Sequence, residues 1–94
     1  MRHWYLVSYD VRDEKRLRCV ARKLEGHGTR VQYSVFRCLL TPRSMERMRW
    51  ELSKILMPED DLLIVELCAS CISKVRSRKG VGEWPEQQPR VLIV

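Results

Sequence analysis

Asp10 closes the apolar run Tyr5-Leu6-Val7-Ser8-Tyr9-Asp10, and an arginine-rich stretch follows directly. A carboxylate held at a strand end suits a hard divalent cation. Mg²⁺ takes one or two carboxylates and keeps several of its waters. One Asp10 per chain is thin for that, so a two-fold axis joining two copies of Asp10 would supply the second ligand. An ion held there lowers the pKa of a bound water and clamps a phosphate. Asp10 is also suited to starting the loop and capping the helix beyond it. Tyr9 could position a water for such chemistry, or face the core as an alternating strand residue. No histidine stands near Asp10 in sequence to serve as a general acid or base.

The cations are distributed unevenly. The 94-residue chain carries a net charge of +6. Residues 1–55 hold thirteen Lys/Arg against six Asp/Glu, and residues 56–94 hold five against six. Thirteen of the eighteen cations are arginine, whose fork matches phosphate bidentately. The excess in one half points to a polyanion. Arg16, Arg18 and Arg22 could line a groove that tracks phosphates, or form a solvated helix face. Arg30 could join them, or serve as a charge on a strand edge. Phe36 could stack on a base or fill the core. Lys74, Arg76, Arg78 and Lys79 make a second basic patch. Glu59-Asp60-Asp61 reads as a solvated turn rather than a second metal site. Cys68-Ala-Ser-Cys71 has the spacing of half a zinc site or a redox pair. No second CxxC or HxxxH completes a zinc site, so the four cysteines read as reduced, structural thiols.

The elements that must position these groups follow from patterning. Residues 3–10 read as a buried strand. Asp13 caps a helix whose inner face is Leu17, Val20, Ala21 and Leu24, with Cys19 pointing outward and Gly26 or Gly28 ending it in a left-handed turn. Residues 30–40 are too long for one strand, so a bend, bulge or tight turn is expected near Ser34. Thr41-Pro42 starts a second helix running to about Leu56. Its inner stripe is Met45, Met48, Leu52, Ile55 and Leu56, and Pro58 closes it. Residues 61–68 form the next strand, where the unbroken run Leu62-Leu63-Ile64-Val65 predicts a central strand covered on both faces. A short helix or turn over residues 70–78 and a terminal strand over residues 90–94 complete the chain. The order β-α-β-β-α-β is the ferredoxin-like split arrangement, an α+β sandwich. Residues 1–79 are expected to form this domain. Residues 80–94 are expected to be a linker and an extra C-terminal strand that completes the sheet of a homodimer by swapping. No apolar run approaches the roughly 20 residues of a membrane span, and the N-terminus lacks a signal-peptide pattern. A soluble, cytoplasmic protein is expected.

Strand-Tyr9-Asp10, the spaced pair Arg16 and Arg18, and the segment Gly28-Thr29-Arg30-Val31-Gln32-Tyr33-Ser34-Val35-Phe36 together resemble the CRISPR-associated protein Cas2 family, with the likeness strongest over residues 3–68. The resemblance implies a small ferredoxin-like dimer of the spacer-acquisition machinery. It implies assembly with the CRISPR-associated integrase subunit, two dimers of which flank one dimer of this protein. It further implies Mg²⁺-dependent endonuclease activity on single-stranded RNA or double-stranded DNA. Asp10 matches the family's metal-binding aspartate, and Tyr9, Arg16, Arg18, Arg30 and Phe36 match positions of importance around it. Many members carry an acidic residue where this chain has Arg37, a departure that bears on partner contacts. Two other readings compete: a toxin-like metal-dependent ribonuclease, and a purely structural DNA-binding bridge without catalysis. An RNA-recognition module on the same fold would need an aromatic strand motif that residues 31–36 lack.

Overall fold

The computed structural model describes residues 1–72. Seven elements follow in order: β1 (His3–Asp10), α1 (Glu14–Glu25), β2 (Gly28–Gln32), β3 (Val35–Leu40), α2 (Pro42–Ile55), β4 (Asp61–Leu67) and α3 (Ala69–Ile72). The strands form one antiparallel sheet in the order β2-β3-β1-β4. The fold is therefore the expected ferredoxin-like α+β arrangement. The second basic patch, the linker and the terminal strand lie outside the described residues, as does the expected boundary at residue 79.

Local chemistry sets the helix ends. Asp13 caps α1 by accepting the Arg16 backbone N–H at 2.9 Å, and Thr41 caps α2 by accepting the Ser44 N–H at 3.1 Å with Pro42 at the first helical position. Helix α1 ends at Gly26 in right-handed geometry, φ −76°, not in the expected left-handed turn. Gly28 has a different task. It lies on β2 opposite Cys38, and a Cβ there would strike the Arg37 carbonyl oxygen and come within 2.6 Å of the Cys38 sulfur. The long β-prone run splits as expected: a tight turn at Tyr33-Ser34 separates β2 from β3, and the register slips between Arg30 and Gln32.

Both long helices pack on one face of the sheet. Val20 and Leu24 of α1 and Met48 and Leu52 of α2 meet Tyr5, Val7, Tyr9, Phe36, Cys38 and Leu40 in the core. Each large apolar side chain buried there contributes roughly 1.5–3 kcal/mol. Strand pairing places β1 residues beside partners on the same face. Tyr5, Val7 and Tyr9 therefore look toward the helices, while Trp4, Leu6, Ser8 and Asp10 look the other way. That second face continues through Val35, Arg37 and Leu39 of β3 and Leu63, Val65 and Leu67 of β4. Among the described residues only α3 meets it, with Ile72 packed on Trp4 beside Leu6, Leu39 and Leu67.

Strand β4 departs from its expected place. Among the described residues it lies at an edge of the sheet rather than its centre. Leu63 is 61% exposed and Val65 41%. Four consecutive apolar residues thus serve two surfaces: Leu62 and Ile64 join the core, and Leu63 and Val65 stand on the open face.

Candidate functional site

The C-terminal end of β1 is where chemistry concentrates. Asp10 is the last residue of the strand, on the open face, with its side chain 64% exposed. The antiparallel register sets Asp61, the first residue of β4, directly across from it. Side chains so paired lie about 5 Å apart at Cβ, and like charges there repel. One chain therefore brings two carboxylates to this edge, without the two-fold axis that Asp10 alone would need. Arg12 answers part of that charge, its Nη2 lying 3.8 Å from Asp10 Oδ2.

The neighbouring carboxylate, Asp60, is of a different kind. Its side chain is shut off from solvent, so the acidic run is not simply a solvated turn. Asp60 accepts four hydrogen bonds. Arg16 donates from Nε to Oδ2 at 2.9 Å and from Nη2 to Oδ1 at 3.2 Å. The Arg12 backbone N–H donates to Oδ1 at 2.9 Å, and the Met57 N–H to Oδ2 at 3.0 Å. Arg16 also reaches Glu59 Oε2 at 3.0 Å. The Arg16 hydrogen bond, aided by the backbone N–H groups, holds the Asp60 carboxyl well below the usual carboxylate range. In return the Arg16 guanidinium is held above its ordinary value, chiefly by that hydrogen bond. This clamp ties the loop after Asp10 to the loop before Asp61, and so fixes the spacing of the two exposed carboxylates.

The remaining candidates are distributed as follows. Arg18 is 64% exposed and meets only Glu14, at 3.9 Å, among the ion pairs of the described residues. Arg22 stands near the other end of α1, beside a shallow hollow lined also by Cys19, Lys23, His27 and Ile55. Arg30 is exposed: it donates to the Tyr33 carbonyl at 2.9 Å, lies 3.5 Å from Glu25, and covers the Phe36 ring at 5.1 Å. Phe36 itself is fully buried, so its place is in the core and base stacking is withdrawn. Tyr9 is buried too, on the helix face, with its hydroxyl 3.5 Å from the Tyr33 carbonyl and its pKa raised above 10 by burial. It and Asp10 point to opposite faces of β1, so the two do not form one catalytic pair within a chain. Arg37 is buried on the open face rather than adding to the basic surface.

Sequence reasoning did not single out Arg12, and it set Asp61 aside with the rest of the acidic run. The signal for Asp61 was register: the start of β4 must lie opposite the end of β1 once the two pair antiparallel. Among the described residues no three His, Cys, Asp or Glu side chains converge on a metal-sized space. Asp10 and Asp61 are two carboxylates only, too few for a closed zinc site; a cation held between them would keep most of its waters. No helix among the described residues is long and apolar enough to cross a membrane.

These features define a class: a small ferredoxin-like protein with an acidic edge on an otherwise cationic, arginine-rich chain. The comparisons with known proteins make this specific. The signature of the family described as CRISPR associated protein Cas2 matches residues 1–75, and the chain belongs to that family. It is 37% identical over 93 residues to CRISPR-associated endoribonuclease Cas2 1 of Chloroflexus aurantiacus, covering 97% of this chain and 99% of that one. The crystal structure of Streptococcus pyogenes Cas2 superposes with a TM-score of 0.72 at 34% identity, covering 79% of this chain and 96% of that one. A chain of a partial Cas6-RT-Cas1–Cas2 complex gives a TM-score of 0.73 at 27% identity, covering 85% and 93%.

Proposed function

We propose that this protein is an assembly subunit of CRISPR adaptation: a homodimer that binds nucleic acid and joins the integrase subunit during spacer acquisition. The observation that carries this reading is the open sheet face. It is apolar along β4, it ends in Asp10 and Asp61, and among the described residues only α3 touches it. A second copy packed on that face would remove Leu63 and Val65 from water and carry two acidic edges toward one axis. The C-terminal strand expected over residues 90–94 would extend the β4 edge of the partner. The matched chain in a Cas1–Cas2 complex supports the integrase partner.

A second activity, Mg²⁺-dependent endonuclease action on single-stranded RNA or double-stranded DNA, is favoured by the endoribonuclease name of the Chloroflexus relative and by the exposed Asp10–Asp61 pair. When bound, Mg²⁺ supplies an acidified water and charge for the scissile phosphate. Asp10 and Asp61 would hold it, Arg12 and Arg18 would engage phosphates, and the Arg16–Asp60 clamp would keep the carboxylates in place. Tyr9 acts in this scheme through the β2–β3 turn, not as an acid or base.

The assembly reading is tested by mixing the purified full chain with the integrase subunit and duplex DNA and measuring complex mass by light scattering. A stoichiometric complex is expected; two species that elute separately at micromolar concentration contradict the reading. Cleavage is scored independently with single-stranded RNA and duplex DNA, with and without Mg²⁺.

A further inference from the structure

Four cysteines occupy three chemically different settings. All are free. Cys38 is fully buried in the core, and burial pushes its thiol up to about 11, so it is inert at neutral pH. Cys19 is exposed on α1. Cys68 and Cys71 are exposed as well, and their sulfurs lie 3.1 Å apart. The thiols are reduced, as expected, but these two stand at the surface rather than in the core. The spacing arises because Cys68 directly follows β4 and its carbonyl accepts the Ile72 N–H at 3.0 Å, which closes the single turn of α3 and brings the side chain at i+3 back over i. The Ser70 hydroxyl is also 3.1 Å from the Cys68 sulfur.

We propose that Cys68 and Cys71 form a reversible thiol–disulfide couple, a modification site whose oxidant is a low-molecular-weight disulfide and whose closure locks α3 against the Trp4 end of the open sheet face. The proposal stands apart from the reading of Asp10. Three observations bear on it. The sulfurs need to approach by only about 1 Å to reach bonding distance. Both are exposed to a small oxidant. Hydrogen bonds with Ser70 and Cys71 bring the Cys68 thiol down to about 7, which favours the thiolate, the nucleophilic form. Cys68 thiolate attacks one sulfur of the oxidant, forming a mixed disulfide and releasing one thiol. Cys71 then loses its proton and attacks the Cys68 sulfur, closing the ring and releasing the second thiol. The dithiol loses two electrons and two protons, and the oxidant is reduced to two thiols. The mechanical consequence follows from position. Ile72 packs on Trp4, so a covalent loop from residue 68 to 71 holds that contact shut where the chain leaves the sheet.

The test uses the full chain, reduced and then equilibrated with mixtures of oxidised and reduced glutathione. Samples are acid-quenched, alkylated and weighed intact, then digested. Two thiols per chain are expected to vanish together, with the bond mapped to Cys68–Cys71. Cys19→Ser should behave as wild type, whereas Cys68→Ser and Cys71→Ser should stop at a glutathione adduct on the remaining cysteine. Persistent alkylation of both residues under a large excess of oxidised glutathione overturns the couple, as does a bond formed between chains. At pH 7 Cys68 should be alkylated about fivefold faster than Cys19; equal rates reject its role as nucleophile. Amide exchange at Ile72 should slow at least tenfold on oxidation, and an unchanged rate rejects the locking of α3.

Discussion

Asp10, Asp60 and Asp61 are the same residue type in two settings, and the difference is made by donors. Asp60 has four hydrogen bonds and no solvent. Asp10 has one arginine at 3.8 Å and is mostly exposed. Only the second kind has lone pairs to give an ion. Asp10→Asn should leave the melting curve near wild type while lowering any Mg²⁺-dependent cleavage by at least about a hundredfold, measured on purified protein with labelled RNA; cleavage at the wild-type rate contradicts ligation. Asp60 acts on stability instead. Its folded pKa lies below the ordinary value of 3.8, so its contribution is complete above that value and is shed as pH falls through the lowered one. Circular dichroism should show wild-type stability declining below about pH 4, and Asp60→Asn should be less stable at pH 7 with a flatter slope in acid. Asp10 was legible in the sequence because a strand end is a local feature. The pairing of Arg16 with Asp60 was not, because its partners are 44 residues apart and meet only when the first turn of α1 folds against the loop before β4. Tyr9 and Phe36 belong to the segments that carry the family resemblance, but their side was decided by strand alternation, which turned both toward the helices.

At the scale of elements, capping and apolar spacing located both long helices, and the split of residues 30–40 into a hairpin followed from length alone. Strand β4 was misplaced for a physical reason. A continuous apolar run means two covered faces, but it does not say whether the cover comes from the same chain. Here one face meets the helices and the other lacks equivalent cover among the described residues. Gly28 was assigned to the wrong element because glycine signals both helix ends and close strand approach. The structure selects the second. Gly28→Ala must part β2 from β3 and should cost on the order of 2–3 kcal/mol, read from urea denaturation; a loss below about half a kcal/mol would show that the hairpin yields freely.

The whole molecule joins a cationic chain to an apolar face with an acidic end. On the proposed reading, long-range charge would draw a polyanion to it, and geometry decides which arginines are available. Exposed ion pairs such as Arg18–Glu14 are worth little and yield readily to phosphate, whereas Arg16 is committed to a shielded carboxylate. Arg18→Ala should weaken oligonucleotide binding and reduce the slope of log affinity against log salt by about one. Arg16→Ala should instead lower the melting temperature. An unchanged salt slope for Arg18→Ala would remove that residue from the nucleic-acid surface. Net charge and its bias toward residues 1–55 were plain in the sequence; which cations were already spoken for required the fold.

The central claim is that a second copy covers the open face and completes the acidic edge. Sedimentation equilibrium of the intact chain, beside a Leu63→Asp, Val65→Asp double variant, tests it most directly. The wild type should sediment at twice the 11.2 kDa chain mass at micromolar concentration, and the folded variant at the single mass. A wild type that stays at 11.2 kDa, or a folded variant that dimerises as well as wild type, contradicts the account.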